Sequence, residues 1–453
     1  MMYWLLLFGC LLLLSFAWWM EGGRWASPSV IVSFCISLVV GMSILGLGRW
    51  NSVVLDLQGK TVAVIFLGCA AFLIGCSFMN LVFDGRSALH VSNSRAVVWL
   101  PSINRLVVLA FVGSVGTVIW YLLIGRNLGT FNPIALSTAL KNGVGDVEPT
   151  IATGFRCLTY SICAFACALA GLGAARKEKR LVFLAVIVGL CSAAPSAVSA
   201  IRTNILHLIV GALVAFSMGC VVLGRGKKLK FKKIIFVFIA VYILVQLFYF
   251  AVQLSGRSAH YDSPLDYIEF YLAGSIPALD GFMRNNVAPT GVSETFSGLQ
   301  DIAQRLGIID SVAPKASNHW AVVNYSYDGV TNIYTFIRPA LHDFGFGGLV
   351  LYMIVLGILF QLLYRKALDR GSLSSFVVYS YLAYILVESM RDDFFSYWLG
   401  LEGLVTLVLL LLCIYWVFPI REDGPGGRQT HIPSTDGSRP LASICQLGGK
   451  YEL

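Results

Sequence analysis

Uninterrupted apolar stretches of about 20 residues recur along most of the chain, and they constrain the fold more than any other feature. As helix, such a stretch crosses a hydrocarbon core of roughly 30 Å and satisfies its own backbone polar groups. Candidate spans fall at 3–20, 28–47, 61–83, 104–124, 151–174, 181–200, 203–223, 231–254, 345–364, 373–390 and 394–418. Hydrophobic residues are 57% of the 453 positions and charged residues only 13%, with a mean hydropathy of +0.77, which excludes an ordinary soluble protein. The expected fold is an all-α polytopic membrane protein. It has about eleven transmembrane helices and one large outward, partly helical loop.

Charge sets the orientation. "ARKEKR" (175–180), "GRGKKLKFKK" (224–233) and "YRKALDR" (364–370) are short basic loops and are expected on the cytoplasmic side. Alternation then places Arg202, the loop 255–344 and Arg391 with its neighbours Asp392 and Asp393 on the outer side. The chain divides into an N-terminal bundle of about eight spans (1–254), the large loop (255–344), the C-terminal spans (345–418) and a Gly-, Pro- and Ser-rich tail (419–453). That tail has the composition of a disordered cytoplasmic segment. The first stretch lacks a basic lead and a small-residue cleavage site, so it reads as a retained span. Within the loop, Ser263 suits an N-cap and Pro264 a first helical position, with Leu265, Ile268 and Leu272 as an apolar stripe.

Several classes are disfavoured. A net charge of +9 would suggest nucleic acid in a soluble chain, but here Lys and Arg crowd the loops between spans. The eleven cysteines are scattered, mostly inside spans, without metal or disulfide spacing. No Walker loop or dinucleotide fingerprint occurs, which argues against an ATP-driven pump, and no cofactor is expected. The adjacent carboxylates of "RDD" lack the further acidic ligands that a divalent ion needs, so no metal is expected either.

The groups that carry chemistry gather in "VTNIYTFIRPALHDFGFGG" (330–348). Arg338 and His342 are four residues apart and share one face of a starting helix, with Pro339 at its first position and Asp343 beside them at the mouth of a span. Ionisable groups at that depth are costly and face the protein interior or a wet cavity. Arg202 stands between two spans with no carboxylate in its own loop. Arg257, Arg284, Arg391 and His319 fall in the same outer compartment. Guanidinium groups match phosphate oxygens in paired hydrogen bonds, so the set suits an anionic, phosphate-bearing ligand at the membrane interface. Salt bridging, snorkelling and lipid head-group contact are the structural alternatives for the same arginines.

Asn332, Tyr334, Thr335, Asp343, Phe344, Gly345 and Gly348 together resemble the "N-x-Y-T … D-F-G-x-x-G" region of Wzy-type O-antigen polymerases, a family of bacterial oligosaccharide repeat unit polymerases. A looser resemblance covers "SPSVIVSFCISLVVGMSILGLGRW", "AFLIGCSF", the turn at Arg202 and "FYLAGSIPALDGF". It implies a multi-pass glycosyltransferase of the bacterial inner membrane whose large outward loop is periplasmic and whose active site faces the periplasm. Undecaprenyl diphosphate-linked oligosaccharides would be both donor and acceptor, and a chain-length regulator a further partner. Such an enzyme must stabilise the departing diphosphate and take a proton from the acceptor hydroxyl. Arg202, Arg257 and Arg338, with Arg284 and Arg391, are the candidates for the first task. His342 is the candidate base, with Asp343 orienting or replacing it and His319 as second choice. Asn332, Tyr334 and Thr335 are candidates for positioning sugars. An O-antigen ligase and a lipid-linked oligosaccharide flippase are the alternative readings.

Overall fold

The computed structural model describes residues 1–46, 56–87, 101–133, 135–140, 148–198, 202–224, 272–284, 293–310, 321–322, 330–331, 334–369, 371–391 and 393–418. The expected span 231–254, the first residues of the loop helix, the tail 419–453, and Arg257, His319 and Asn332 lie outside them, as does the side chain of Arg202.

Among the described residues the long helices α1 (Met2–Met20), α2 (Pro28–Leu45), α3 (Gly59–Ser87), α4 (Ile103–Leu128), α5 (Thr150–Arg176), α6 (Lys179–Val198) and α7 (Arg202–Val222) come first. Two short helices of the loop follow, α8 (Ser275–Arg284) and α9 (Ser297–Arg305), and then the two-residue strands β1 (Ala321–Val322) and β2 (Val330–Thr331), paired antiparallel. The chain continues as α10 (Ile337–Asp369), α11 (Leu373–Glu388), α12 (Phe394–Trp398) and α13 (Leu401–Val417). Eight of the described helices are long and apolar enough to cross a membrane, and α11 and α13 are shorter apolar helices. The chain is thus an α-helical, multi-pass membrane protein.

The helices start and stop where local chemistry directs. Pro28 opens α2, Ser372 accepts from the Ser375 amide to open α11, and Asp393 Oδ1 accepts from the amides of Phe395 and Ser396 at the start of α12. Pro195 lies inside α6 and cannot donate to the carbonyl of Cys191, four residues earlier. Thr117 Oγ1 of α4 donates to that carbonyl instead, at 3.0 Å. Within a bilayer such replacement is what makes an interior proline tolerable.

Two boundaries differ from the sequence reading. The span expected at 345–364 belongs to a helix that begins at Ile337 and turns at Gly345, whose φ of 64° and ψ of −165° are non-helical. Only glycine adopts that backbone without strain, so Ile337–Phe344 forms a separate short helix on top of the span. Pro339 accordingly stands third in this helix, still inside the first turn where no amide partner is lost. The span expected at 394–418 is interrupted between Trp398 and Leu401. There Gly298 of α9 lies so close to Ser396 and Gly400 that any side chain on it would strike their backbone.

Packing centres on α3 against α10. A Cβ at Gly75 would meet the Ile354 carbonyl and one at Gly357 would meet the Phe72 carbonyl, while Cys76 Sγ donates to the Gly357 carbonyl at 3.5 Å. In lipid, close backbone approach supplies what hydrophobic exclusion supplies in water. Outward apolar side chains such as Phe8 and Leu12 on α1 or Phe111 and Leu122 on α4 are exposed, as lipid-facing surfaces require. Cys35, Cys69, Cys76 and Cys163 are buried packing residues without disulfides.

The ends of the helices sort into two groups. The amide of Phe336 before α10 donates to the Ser389 carbonyl after α11, Arg156 of α5 meets Glu402 of α13, and Thr61 of α3 donates to Asp280 of α8. At the opposite end, Glu21 meets Asn80 and Gln361, and the Ser102 amide donates to the Val417 carbonyl. Arg202, the described loop residues and Arg391 therefore share one end of the bundle.

Replacing Gly75 or Gly357 by Leu forces α3 and α10 apart. Each change is expected to destabilise the protein by about 1–3 kcal/mol or more. A lower thermal midpoint of the purified protein in detergent checks this, with Gly41→Leu, where the structure has open space, as the tolerated control.

Candidate functional site

The short helix Ile337–Phe344 puts Arg338 and His342 one turn apart on its inner face. Both are buried, 3% and 4% exposed, beneath the loop segment that leads into α9. That segment supplies Glu294. Its carboxylate sits 3.1 Å from Arg338 Nη1, accepts from Nη2 at 3.3 Å, and lies 3.7 Å from His342 Nδ1. The Arg338 guanidinium is also enclosed by two aromatic faces, Tyr334 at 4.4 Å and Phe282 of α8 at 5.0 Å. Such contacts stabilise a desolvated guanidinium beyond its ion pair.

Asp343 is the acceptor that organises the loop. Ser293 Oγ donates to it at 2.9 Å, the Glu294 amide at 3.0 Å and the Thr295 amide at 2.7 Å. His342 Nδ1 lies 3.1 Å from Asp343 Oδ1. Because an ionised carboxylate only accepts, this contact assigns the proton to Nδ1 and leaves Nε2 as the basic ring nitrogen. No described residue takes a hydrogen bond from or gives one to Nε2. A carboxylate-held imidazole with a free Nε2 is suited to accept a proton from a hydroxyl.

The other expected residues stand around this centre. Tyr334 is part of it through Arg338, and Thr335 is buried at the turn where its carbonyl accepts the Arg338 amide. Arg284 is not in the cluster. Its Nε donates to Asp280 Oδ2 at 2.7 Å and its Nη2 to the Asp56 carbonyl, clasping α8 to the approach of α3. Arg391 sits beside a second buried group, with Nη1 3.0 Å from Glu388, whose other oxygen is 3.5 Å from His207 Nε2. His207 stacks on Tyr384 at 3.8 Å. A hydrogen bond from the Phe336 amide to the Ser389 carbonyl ties together the segments that carry the two groups, and Phe336, Ser389, Asp393 and Phe394 help to line a small cavity. Asp393, which the sequence pairs with Asp392 in "RDD", is engaged by Tyr352 Oη at 3.0 Å as well as by its helix-capping amides.

Each described arginine of the expected anion-binding set thus already has a carboxylate: Arg284 with Asp280, Arg338 with Glu294, Arg391 with Glu388. The sequence reading missed Glu294, Ser293 and Thr295, and also His207 and Glu388. A signal for Glu294 existed, since a buried Arg338 demands a carboxylate from elsewhere in the chain. Which carboxylate answers was set by a contact across 44 positions. Comparison with family models, curated proteins and solved structures finds no match for this chain.

Glu294→Gln leaves the Arg338 charge buried without its counter-charge and is expected to cost about 3–5 kcal/mol. Adding Arg338→Met to it should restore much of that loss. A double-mutant cycle on unfolding midpoints in detergent measures the coupling.

Proposed function

We propose that the chain is a membrane glycosyltransferase of the bacterial inner membrane that polymerises undecaprenyl diphosphate-linked oligosaccharide repeats, as the resemblance to the Wzy-type O-antigen polymerases implies. The observation that carries this reading is the His342–Asp343 pair standing beside Arg338 at the mouth of α10. This is the place where the "D-F-G" of the resemblance falls. In the same reading the span at 231–254 completes eleven, and the end of the bundle that holds Arg338 faces the periplasm.

The chemistry needs no nucleotide, because the donor carries its energy in a glycosyl diphosphate. The acceptor hydroxyl oxygen forms a bond to the anomeric carbon, the bond from that carbon to the diphosphate oxygen breaks, and the electron pair leaves with the diphosphate. His342 Nε2 takes the hydroxyl proton while Asp343 holds Nδ1 and stabilises the imidazolium that results. Arg338 Nε makes no hydrogen bond and is a donor for a phosphate oxygen. Arg202, at the start of α7, and Arg257 complete the candidate set, with Arg284 and Arg391 at its edges. Preorganised cations at the position where charge develops are the chain's own means of stabilising that departure. Tyr334, whose ring lies against the Arg338 guanidinium, keeps with Asn332 and Thr335 the role of a sugar-positioning group, and His319 that of the alternative base. A chain-length regulator is a partner in this reading.

The ligase and flippase readings differ from it in what a deletion leaves behind. A strain lacking the protein should carry single repeats on its lipid core if the chain polymerises, and none if it ligates or flips. Complementation with His342→Ala should lower polymer yield by about 10²–10⁴-fold at normal protein levels. Arg338→Ala and Arg202→Ala should shorten or abolish the polymer ladder on a sugar gel, and unchanged ladders for both would remove the diphosphate assignment.

A further inference from the structure

The outer loop carries an apolar surface that the candidate site does not use. Helical spacing in α9 puts Leu299, Ile302 and Leu306 on one side and Asp301, Gln304 and Arg305 on the other. The polar side carries its own ion pair, Arg305 Nε to Asp301 Oδ2 at 3.1 Å. After the helix Gly307, at a φ of 70°, turns the chain back, and the Ile308 amide donates to the Ala303 carbonyl at 2.9 Å. That closing turn brings the side chain after the glycine against the last turn of the helix, so Ile308 extends the apolar stripe. The stripe is open: Leu299 is 43% exposed, Leu306 69% and Ile308 70%. None of the three joins the main hydrophobic core.

Two contacts put α9 at the level where apolar helices begin. Phe296, directly ahead of it and itself exposed, has its ring 6.0 Å from Phe344 at the top of α10. Below the turn at Gly345, α10 leaves Phe346, Leu351, Val355 and Leu359 exposed. On the other flank Gly298 lies against the backbone of Ser396 and Gly400. The next residue, Leu401, opens α13 and is exposed, and Val405, Val408 and Leu412 follow it on the same face. The stripe of α9 therefore adjoins the outward apolar surfaces of two helices, at Phe344 on one side and at Leu401 on the other.

We propose that α9 is an interfacial helix, seated with Leu299, Leu306 and Ile308 in the boundary of the leaflet nearest the candidate site and with Asp301, Gln304 and Arg305 toward water. An amphipathic helix in that plane buries its apolar side among headgroups and upper acyl chains and keeps its charges wet. A contiguous apolar patch rimmed by polar groups marks a contact surface. A protein partner is the rival occupant, and continuity with lipid-facing side chains on both flanks favours lipid.

The seat bears on the candidate site. Ser293, Glu294 and Thr295, which hold Asp343 and Arg338, immediately precede Phe296, so no slack separates α9 from the segment that lies over His342. The lipid surface then sets the height of that cover. This inference rests on the membrane-spanning fold and stands or falls independently of glycosyl transfer.

Spin labels on Leu299→Cys, Leu306→Cys and Ile308→Cys test it in nanodiscs of phosphatidylethanolamine and phosphatidylglycerol. Gln304→Cys and Arg305→Cys are the polar-side controls, and the signal of labelled unsubstituted protein is subtracted. All five side chains are exposed, so the label displaces no core packing. Relaxation by oxygen, which concentrates in lipid, is compared with relaxation by a water-soluble nickel chelate. The expected oxygen-to-nickel ratio is several-fold higher at the three apolar positions than at the controls. A ratio at Leu306 or Ile308 no higher than at the controls puts the helix in water and overturns the proposal. Shelter from both reagents overturns it too, because a protein surface then covers the stripe.

Discussion

Backbone contact between α3 and α10 at Gly75 and Gly357 is the constraint on which the rest of the molecule depends. Side chains of ordinary size at either position would separate the two helices, and α10 is the element that carries a polar assembly at each end. Near its start are Arg338, His342 and Asp343, and near its finish Gln361 and Arg365. Close approach in mid-membrane therefore registers both assemblies against α3, whose Thr61 and Asn80 serve the corresponding ends. Apolar packing supplies the proximity, and the polar groups fix the register.

A second regularity concerns charge. Arginines among the described residues stand against carboxylates, some from distant parts of the chain and some one helical turn away. Arg156 is held by Glu148 and Glu402, and Trp120 Nε1 donates to the same Glu148. His207 and Arg391 share Glu388, and Arg284 is tied to Asp280. A guanidinium already paired does not act as a free cation toward an anionic ligand. It holds geometry first, and in the proposed glycosyl transfer it contributes whichever donors its partner leaves unused, as Arg338 Nε does. A carboxylate-rich centre around one imidazole favours the proton-transfer half of the chemistry over bulk attraction of phosphate.

Much of the architecture was legible in the sequence because membrane spans announce themselves through composition. The boundaries expected for 28–47, 151–174 and 203–223 lie within a few residues of α2, α5 and α7. The proximity of Arg338, His342 and Asp343 was legible too, since it follows from helical spacing alone. What composition could not carry was the glycine turn at Gly345, which hides inside an apolar run, and the break before Leu401, which depends on α9 arriving from a hundred residues upstream. Glu294 illustrates the same gap. A lone glutamate among Ser and Thr in "GVSETFSG" has no periodicity to mark it, and its importance appears only when the loop is folded over α10.

Gly345 carries a mechanical consequence. The eight residues that bear the guanidinium and the imidazole are joined to the membrane-embedded part of α10 through this one pivot, with exposed Phe344 and Phe346 on either side. The backbone of that one residue turns the short segment out of line with the shaft, which stays packed against its neighbour below. The direction of the upper segment is thus set separately from that of the anchor.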